Sequence, residues 1–502
     1  MTSGPPPEPA GAGRSARVLP ASELVASARE LLGRGQRLAL VACHDDGDSL
    51  RAVYLFLGSR PERRDELHVL LDPARPEVPT TAGLCFPGGR FEREMHDLFG
   101  VVPVGHPLPR RLVRHSSWPA GWYPMRRGAG DPPPFAARSD PYPFLEVEGT
   151  GVYEIPVGPI HAGIIEPGHF RFSVVGETIL KLKARLWFLH RGMERCFEGR
   201  RVADGVVLAE RISGDTSAAH GLAYARAVED ALGWDVGPDV RRLRALVLEL
   251  ERITNHVADL GALANDAGLS VVNGHALALR ERMLRMAERV TGHRLWRGAI
   301  HPGGVRLASL PDPRELAEVA RGADEVARNA LGNTTVRDRF EGTAVLRADD
   351  ASALGCLGVV ARASGIRVDA RADHPACDLA VDPVVRDGGD VLARFLVRRD
   401  EVAASVGLVA VLSSEAGARL SLAHPAPREA RPTSSGIGIV EGSRGTIVHR
   451  VEIDGELLAR VKVVDPSWFN WPALPVALAD TIVPDFPLAN KSFGLSYAGN
   501  DL

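Results

Sequence analysis

A short run near residue 160 constrains this chain most. Gly158-Pro159-Ile160-His161 leads through Gly163 to Glu166-Pro167-Gly168-His169 and Phe170-Arg171-Phe172. The glycines and prolines of that span rule out a continuous helix and force a turn. The turn carries two histidines and a glutamate. Two further clusters follow, Leu189-His190-Arg191-Gly192-Met193-Glu194 and Glu210-Arg211-Ile212-Ser213-Gly214-Asp215-Thr216. Each sets titratable side chains beside a glycine. His and Glu in such turns are groups that can accept and return protons near neutral pH.

The totals exclude several classes. A chain of 502 residues can bury a sizeable core in two or three domains. Its apolar share of 45% and formal net charge of −3 fit a globular protein and give no reason to expect nucleic acid as a partner. No apolar run reaches the length of a membrane span. The nearest approach, Val402 to Leu412, is short and holds Ser405 and Gly407. The N-terminus lacks the basic and apolar regions of a signal peptide. Cys43, Cys85, Cys196, Cys356 and Cys377 form no Cys-x-x-Cys pair. They read as reduced thiols, and nothing in the chain groups the thiolates an iron–sulfur cluster needs.

Along the chain, residues 1–19 are rich in Pro, Gly and Ala and are expected to be disordered. Residues 20–125 read as a small α/β domain: a helix over 21–32 closed by Gly33, then strands over 37–44, 50–57 and 66–72. Residues 126–150 hold Gly128, Gly130 and the Pro132-Pro133-Pro134 run and read as a linker. From 151 the spacing turns helical. Ile179, Leu182, Leu186, Leu189 and Met193 fit one apolar helix face. So do Leu243, Leu246, Val247, Leu250, Ile253 and Val257, and helices are also expected over 275–291, 312–330 and 351–363. From about 430 the pattern becomes strands, with Asp454-Gly455 as a hairpin turn. The tail from Ile482 to Leu502 reads as packed structure.

The 154–226 stretch resembles the large subunit of energy-converting nickel–iron hydrogenases of the formate hydrogenlyase type, and its relative, the quinone-site subunit of respiratory complex I. Phe91-Glu92-Arg93-Glu94-Met95-His96-Asp97-Leu98-Phe99-Gly100, continuing through Pro103, His106 and Arg110-Arg111-Leu112, resembles the complex I subunit that sits beside it. Read from the residues alone, that segment is a charged helix capped by Gly100 with a solvated face. Read from the resemblance, it is a docking surface at a subunit boundary. The resemblance implies an α+β chain: the small α/β domain, the linker, and a mainly helical hydrogenase-like domain over 151–502 with strand-rich edges.

In those hydrogenases two Cys-x-x-Cys pairs hold the metals. The resemblance places Ser213 and Thr216 at the first pair. Ser467 and Asn470, in Asp465-Pro466-Ser467-Trp468-Phe469-Asn470, fall at the second. Redox-active nickel needs soft thiolates, and a serine hydroxyl stays protonated at neutral pH. No nickel–iron centre, and no metal, is therefore expected in this chain. The resemblance implies a cavity between the His161–His169 loop, the Arg191–Glu194 segment, the Arg211–Thr216 turn and Asp465–Asn470. His161, Glu166, His169, Arg191, Glu194 and Arg211 are its expected proton-handling side chains. Ser213, Thr216, Ser467 and Asn470 would line a pocket open to a quinone. His161 matches the Gly-Pro-x-His in which the complex I histidine contacts quinone, whereas the residues after it follow the hydrogenase version.

Simpler readings stand beside these. His161 can be a satisfied loop histidine. Glu194 can pair with Arg191 on one helix face. Asp215 or Thr216 can cap a helix over 217–232. Ser213, Asp215 and His220 could form a hydrolytic set, but no Gly-x-Ser-x-Gly elbow is present. The resemblance implies an oxidoreductase subunit active only within a complex, alongside a small iron–sulfur subunit, a ferredoxin-like subunit and antiporter-like membrane subunits. It would sit in the cytoplasm, on the inner face of the membrane through those partners. The alternative is a scaffold without turnover.

Overall fold

The computed structural model describes residues 13–59, 62–137, 140–163, 165–415, 420–423 and 433–502. The first part of the expected disordered N-terminus, residues 1–12, lies outside them. The rest corrects that expectation, because Arg14–Leu19 is a strand. It carries no apolar alternation, with only Leu19 buried, so the sequence pattern did not show it. It pairs in parallel with Arg63–Leu71 at the edge of a four-stranded sheet. Leu50–Gly58 and Arg37–Asp45 complete that sheet, antiparallel. The helix Leu24–Gly33 buries Leu24, Ala28 and Leu31.

Both faces of the N-terminal sheet are covered, so Arg37–Asp45 and Leu50–Gly58 are buried almost throughout. One face meets a three-stranded sheet from the other end of the chain, Thr433–Gly442, Gly445–Asp454 and Leu457–Val464. The contact is ionic. Arg51 grips Glu452 with two bonds of 2.9 Å, and Arg450 reaches Glu66 at 2.9 Å. Two-pronged guanidinium–carboxylate pairs fix orientation as well as adding energy.

The helix Phe86–Phe99 is not solvated. Glu92, Glu94 and Asp97 are buried on it. Phe91 stacks on Trp468 with ring centres 4.8 Å apart. One Asp97 oxygen accepts the backbone N–H groups of Leu112, Val113 and Arg114. The expected docking surface is therefore internal: the segment joins the two halves of one chain. Sequence spacing cannot tell a buried charged face from a solvated one, least of all for Glu94, whose partner Lys462 lies 368 residues away.

The helix expected from Ile179 to Met193 is absent. Val152–Val157, His169–Val175 and Thr178–Arg185 form an antiparallel sheet instead. Ile179 and Leu182 are buried and Leu180 exposed, with a register shift at Ser173/Val174. Within the strand that shift disturbs the period of two and lets Ile179 and Leu182 share a face, while Leu186, Leu189 and Met193 lie beyond it. The expected 351–363 helix is two, Ala348–Leu354 and Gly358–Ala363, split at Gly355 with φ +72°.

The helical body runs through Ser217–Leu232, Pro238–Asp266, Ser270–Thr291, Pro313–Gly332 and Val391–Ser414. Ser217–Leu232 lies directly on the first C-terminal strand. A Cβ on Gly438 would come within 1.8 Å of the Ala223 carbonyl oxygen, and one on Gly436 within 2.2 Å of that of Ala227. Backbone meets backbone there, which only glycine on the strand and alanine on the helix permit. Among the described residues no helix is long and apolar enough to cross a membrane.

Candidate functional site

The three sequence clusters converge on the C-terminal tail. Ser496 is the centre: its hydroxyl lies 2.9 Å from that of Ser213, and its N–H donates to the Ser467 hydroxyl at 3.0 Å. Trp471 donates its indole N–H to the Ser496 carbonyl at 3.2 Å. The Ala498 N–H reaches the Glu166 carboxylate at 3.1 Å. Leu189 N–H donates to the Asp501 carboxylate, His190 Nδ1 to the Asp501 carbonyl, and Arg191 N–H to the Leu502 carbonyl. The tail is thus a strap that ties the 158–169 loop, the 189–194 segment and both Ser-bearing turns together.

The four residues at the metal-ligand positions are buried. Ser213 donates to Asp215 at 2.9 Å, and Asp215 is gripped by Arg444. Asn470 holds both the N–H and the C=O of Leu357. Thr216 Oγ1 has no hydrogen-bond partner among the described residues. These are neutral hydroxyl and amide groups: Ser213 and Ser467 meet on Ser496, Asn470 holds backbone, and Thr216 stands unpartnered among the described residues. They do not fit a nickel–iron centre, which requires thiolates. The two cavities described below are lined by other residues. The strap reaches Ser213 and Ser467 through Ser496.

The proton-handling candidates divide. His161 Nε2 bonds the Gly168 carbonyl at 2.8 Å and His169 Nδ1 that of Gly158 at 3.0 Å, so both hold the turn. Arg211 is exposed and bonds Val207 of its own turn at 2.7 Å. The short helix Gly205–Ala209 before it leaves its side chain on the surface. Arg191 and Glu194 do not pair. They lie before and within the short helix Met193–Phe197, not at the end of a long one. Arg191 donates to the carbonyls of Arg211 and Ile212.

Glu194 instead enters a buried charge network from the last strand. Arg460 meets it at 2.6 Å, Lys462 at 3.0 Å and the Val463 N–H at 3.1 Å. Lys462 also takes both oxygens of Glu94 at 2.8 Å. Burial pushes Glu194 up, but the Lys462 and Arg460 cations reverse that and hold it at about 2. Glu94 has Lys462 without such close help from Arg460, and burial wins, raising it. Burial also lifts Asp501 to about 6. These groups border a cavity of about 340 Å³. Its floor carries Glu94, Glu194, His190 and Asp501, and its far wall Trp118, Trp122 and Leu98. Burial lowers the His190 imidazole, leaving it neutral.

Sequence reasoning missed the second half of each network. His220, singled out only as a hydrolytic candidate, is wholly buried between His449 at 3.0 Å and Asp465 at 3.2 Å. It is remote from a nucleophile's role: Ser213 bonds Asp215 and Ser496, not His220. Burial pushes Asp465 up, and the His220 hydrogen bond and charge bring it below its ordinary value. Asp215 and Thr216 do not cap the following helix with a side chain. Glu251 sits there instead, accepting the N–H groups of Ala218 and Ala219 at 2.7 and 3.1 Å. The signal was present, since Arg460 and Lys462 on an otherwise apolar strand must find buried carboxylates.

An N-terminal mixed sheet clasped to a helical body, with two ligand-turn segments meeting on a C-terminal strap, defines a hydrogenase-large-subunit-like protein of the complex I kind. Comparisons agree in each part. Residues 17–130 match the family model of the respiratory-chain NADH dehydrogenase 30 Kd subunit, 191–264 that of nickel-dependent hydrogenase, and 266–424 that of the respiratory-chain NADH dehydrogenase 49 Kd subunit. The chain is 32% identical to formate hydrogenlyase subunit 5 of Escherichia coli over 87% of its own length and 79% of the relative's. It is 30% identical to the carbon monoxide-induced hydrogenase of Rhodospirillum rubrum, over 68% and 96%. It is 30% identical to a subunit of the NADH-quinone oxidoreductase of Bacteroides thetaiotaomicron, over 77% of each chain. Among solved structures, the archaeal membrane-bound sulfane sulfur reductase complex contains a chain with TM-score 0.64 and 26% identity, covering 70% of this chain and 99% of that one. The chain belongs to the family of fused complex I-related and energy-converting-hydrogenase large subunits.

Proposed function

We propose that this chain is a nickel-free oxidoreductase subunit of a membrane-associated complex related to formate hydrogenlyase and complex I. In this reading it takes electrons from a small iron–sulfur partner and couples them to protonation at its own buried acids. A ferredoxin-like subunit and antiporter-like membrane subunits make up the rest of the assembly, which sits on the cytoplasmic face of the membrane. The observation that carries the reading is the split at the site. The positions of the four thiolates hold packed hydroxyl and amide groups, while Asp501, His190 and Glu194 border an apolar-walled cavity of about 340 Å³. That exceeds the roughly 150 Å³ that admits a benzene ring, so a quinone headgroup is the acceptor we assign. Reducing it takes two electrons from the partner and two protons. Asp501, lifted to about 6, is the group able to give and regain a proton near neutral pH. Glu194 stays ionised and anchors the lysine and arginine behind it.

Elemental analysis of the isolated complex should find no stoichiometric nickel. Asp501→Asn should lower quinone-dependent turnover at least about tenfold without disassembling the complex. One nickel per chain, or undiminished turnover in the variant, would defeat the proposal. A scaffold role is favoured by the outward-facing Arg211 and the buried ligand turns, and undiminished turnover would select it.

A further inference from the structure

Between the 111–116 segment and the strands His169–Val175 and Thr178–Arg185 lies a second cleft, of about 230 Å³. Arg111, Arg114, Arg171 and Arg185 line it, with His115 and His169 beside them. Asp140 also lines it, and it is exposed. The cations are built into the fold. Arg185 is 4% exposed and Arg114 9%. The acceptors of Arg185 are the carbonyls of Leu112 and Arg114, and that of Arg114 is the Pro119 carbonyl. The Nε atoms of Arg114, Arg171 and Arg185 are buried with no hydrogen-bond partner among the described residues.

Aromatic rings hold the guanidinium planes. Arg185 lies 4.7 Å above Tyr142 and Arg171 4.8 Å above Phe144. Stacking engages the face of a guanidinium and leaves its in-plane N–H groups for an acceptor. Arg171 has one carboxylate neighbour, Glu154 at 3.3 Å, which it shares with Lys183. Buried charge of one sign is costly unless something neutralises it. The strain reaches His115, which burial and then the Arg185 cation push down to about 4. The Asp97 carboxylate also acts on Arg185, but one of its oxygens is taken by the N–H groups of Leu112, Val113 and Arg114. Four guanidinium groups set against Asp97, Glu154 and the exposed Asp140 leave an excess of positive charge, and a cleft so lined, open on one side to solvent, is complementary to an anion.

We propose that this cleft is a binding site for a phosphoryl group, with Arg114 and Arg185 as its floor and Arg111 and Arg171 as its mouth. The planar forks of arginine match phosphate oxygens two at a time, which a loose set of surface lysines does not. The same chemistry is offered by a free phosphate or phosphate ester and by the headgroup of an anionic phospholipid. The site is independent of the redox role assigned above, since it uses neither the 340 Å³ cavity nor the strap.

Calorimetric titration of the full chain with inorganic phosphate, and flotation with phosphatidylglycerol against phosphatidylcholine vesicles, separate the two sources. Saturable phosphate binding without flotation assigns a soluble ligand. Flotation with the anionic vesicles alone, competed by phosphate, assigns a headgroup. In either case the Arg111→Gln, Arg171→Gln pair should weaken binding at least about tenfold, and the corresponding lysine pair should restore part of it. Unchanged thermal midpoints would show that the glutamine pair folds, and Arg111→Gln alone, at the half-buried mouth, repeats the test if it does not. Saturable binding in neither arm, or equal binding by the glutamine variants, would overturn the site.

Discussion

Lys462→Met tests the network beneath the 340 Å³ cavity. Lys462 is 3% exposed and touches two buried carboxylates, Glu94 through both oxygens at 2.8 Å and Glu194 at 3.0 Å. Methionine fills much the same volume but removes the cation that both acids face. Glu194 keeps Arg460 at 2.6 Å, so the damage falls on Glu94, whose carboxylate is left without its ion-pair partner. Breaking a buried pair in this way costs about 3–5 kcal/mol. With an unfolding entropy of about 2.1 cal/mol/K per residue, this length gives about 1 kcal/mol per degree. The thermal midpoint should therefore fall by about 3–5 °C. Glu94→Gln in the same chain removes the orphaned charge and should recover at least half of that loss. Calorimetry on the two variants and the parent decides the matter. A single variant within about 1 °C of the parent, or a double variant whose losses simply add, would show that the three groups do not act as one network.

Gly438→Ala should destabilise by at least about 3 kcal/mol, because its Cβ would sit 1.8 Å from the Ala223 carbonyl oxygen. Gly274→Ala is the opposite control: it is exposed within Ser270–Thr291 with nothing within 4 Å, and should gain about 1 kcal/mol of stability by calorimetry. Burial lifts Glu251 to about 8, so its folded form holds a proton that the unfolded chain releases near pH 4.5. That contribution is full below about 4.5 and is lost as the pH rises through about 8. Melting curves should show Glu251→Gln gaining on the parent between about pH 5 and about pH 9, and parallel pH dependence would refute the assignment. Arg211→Ala should leave turnover and stability within about 0.5 kcal/mol of the parent, since its side chain is exposed and bonds only its own turn among the described residues. A large loss of turnover would return it to the cavity.

The parts of the fold legible in the sequence were those set by local rules. The helices Pro238–Asp266 and Pro313–Gly332 announced themselves by apolar spacing, and the last hairpin by turn chemistry, though its loop is Gly455-Glu456, one residue later than Asp454-Gly455. The motif positions identified the residues that meet at the strap, Ser213 and Ser467 among them. What joins those two was not legible. Ser496 is 283 residues from Ser213, and a serine in a tail gives no sign of which hydroxyl it will meet. Glu94 and Lys462 are 368 residues apart, so each looked like an ordinary charge on its own element. Ile179 and Leu182 misled for a different reason. A register shift lets a strand imitate a helical period, and pairing with His169–Val175 settles the state. Arg211 was carried over from the family pattern, and its short local helix leaves it on the surface.

The contact between Gly436, Gly438 and the helix Ser217–Leu232 bears on how this molecule can move. That helix begins at the turn holding Ser213 and Thr216, and the glycine strand belongs to the sheet whose last strand runs into Asp465 and Ser467. At these two glycines no strand side chain stands between helix and sheet, so neither can tilt inward there without backbone meeting backbone. The two turns are therefore the jaws of a fixed-gap calliper, and the gap is set by backbone thickness. Ligand-dependent changes in amide exchange should therefore concentrate in the pieces outside that frame, the turn held by His161 and His169 and the C-terminal strap.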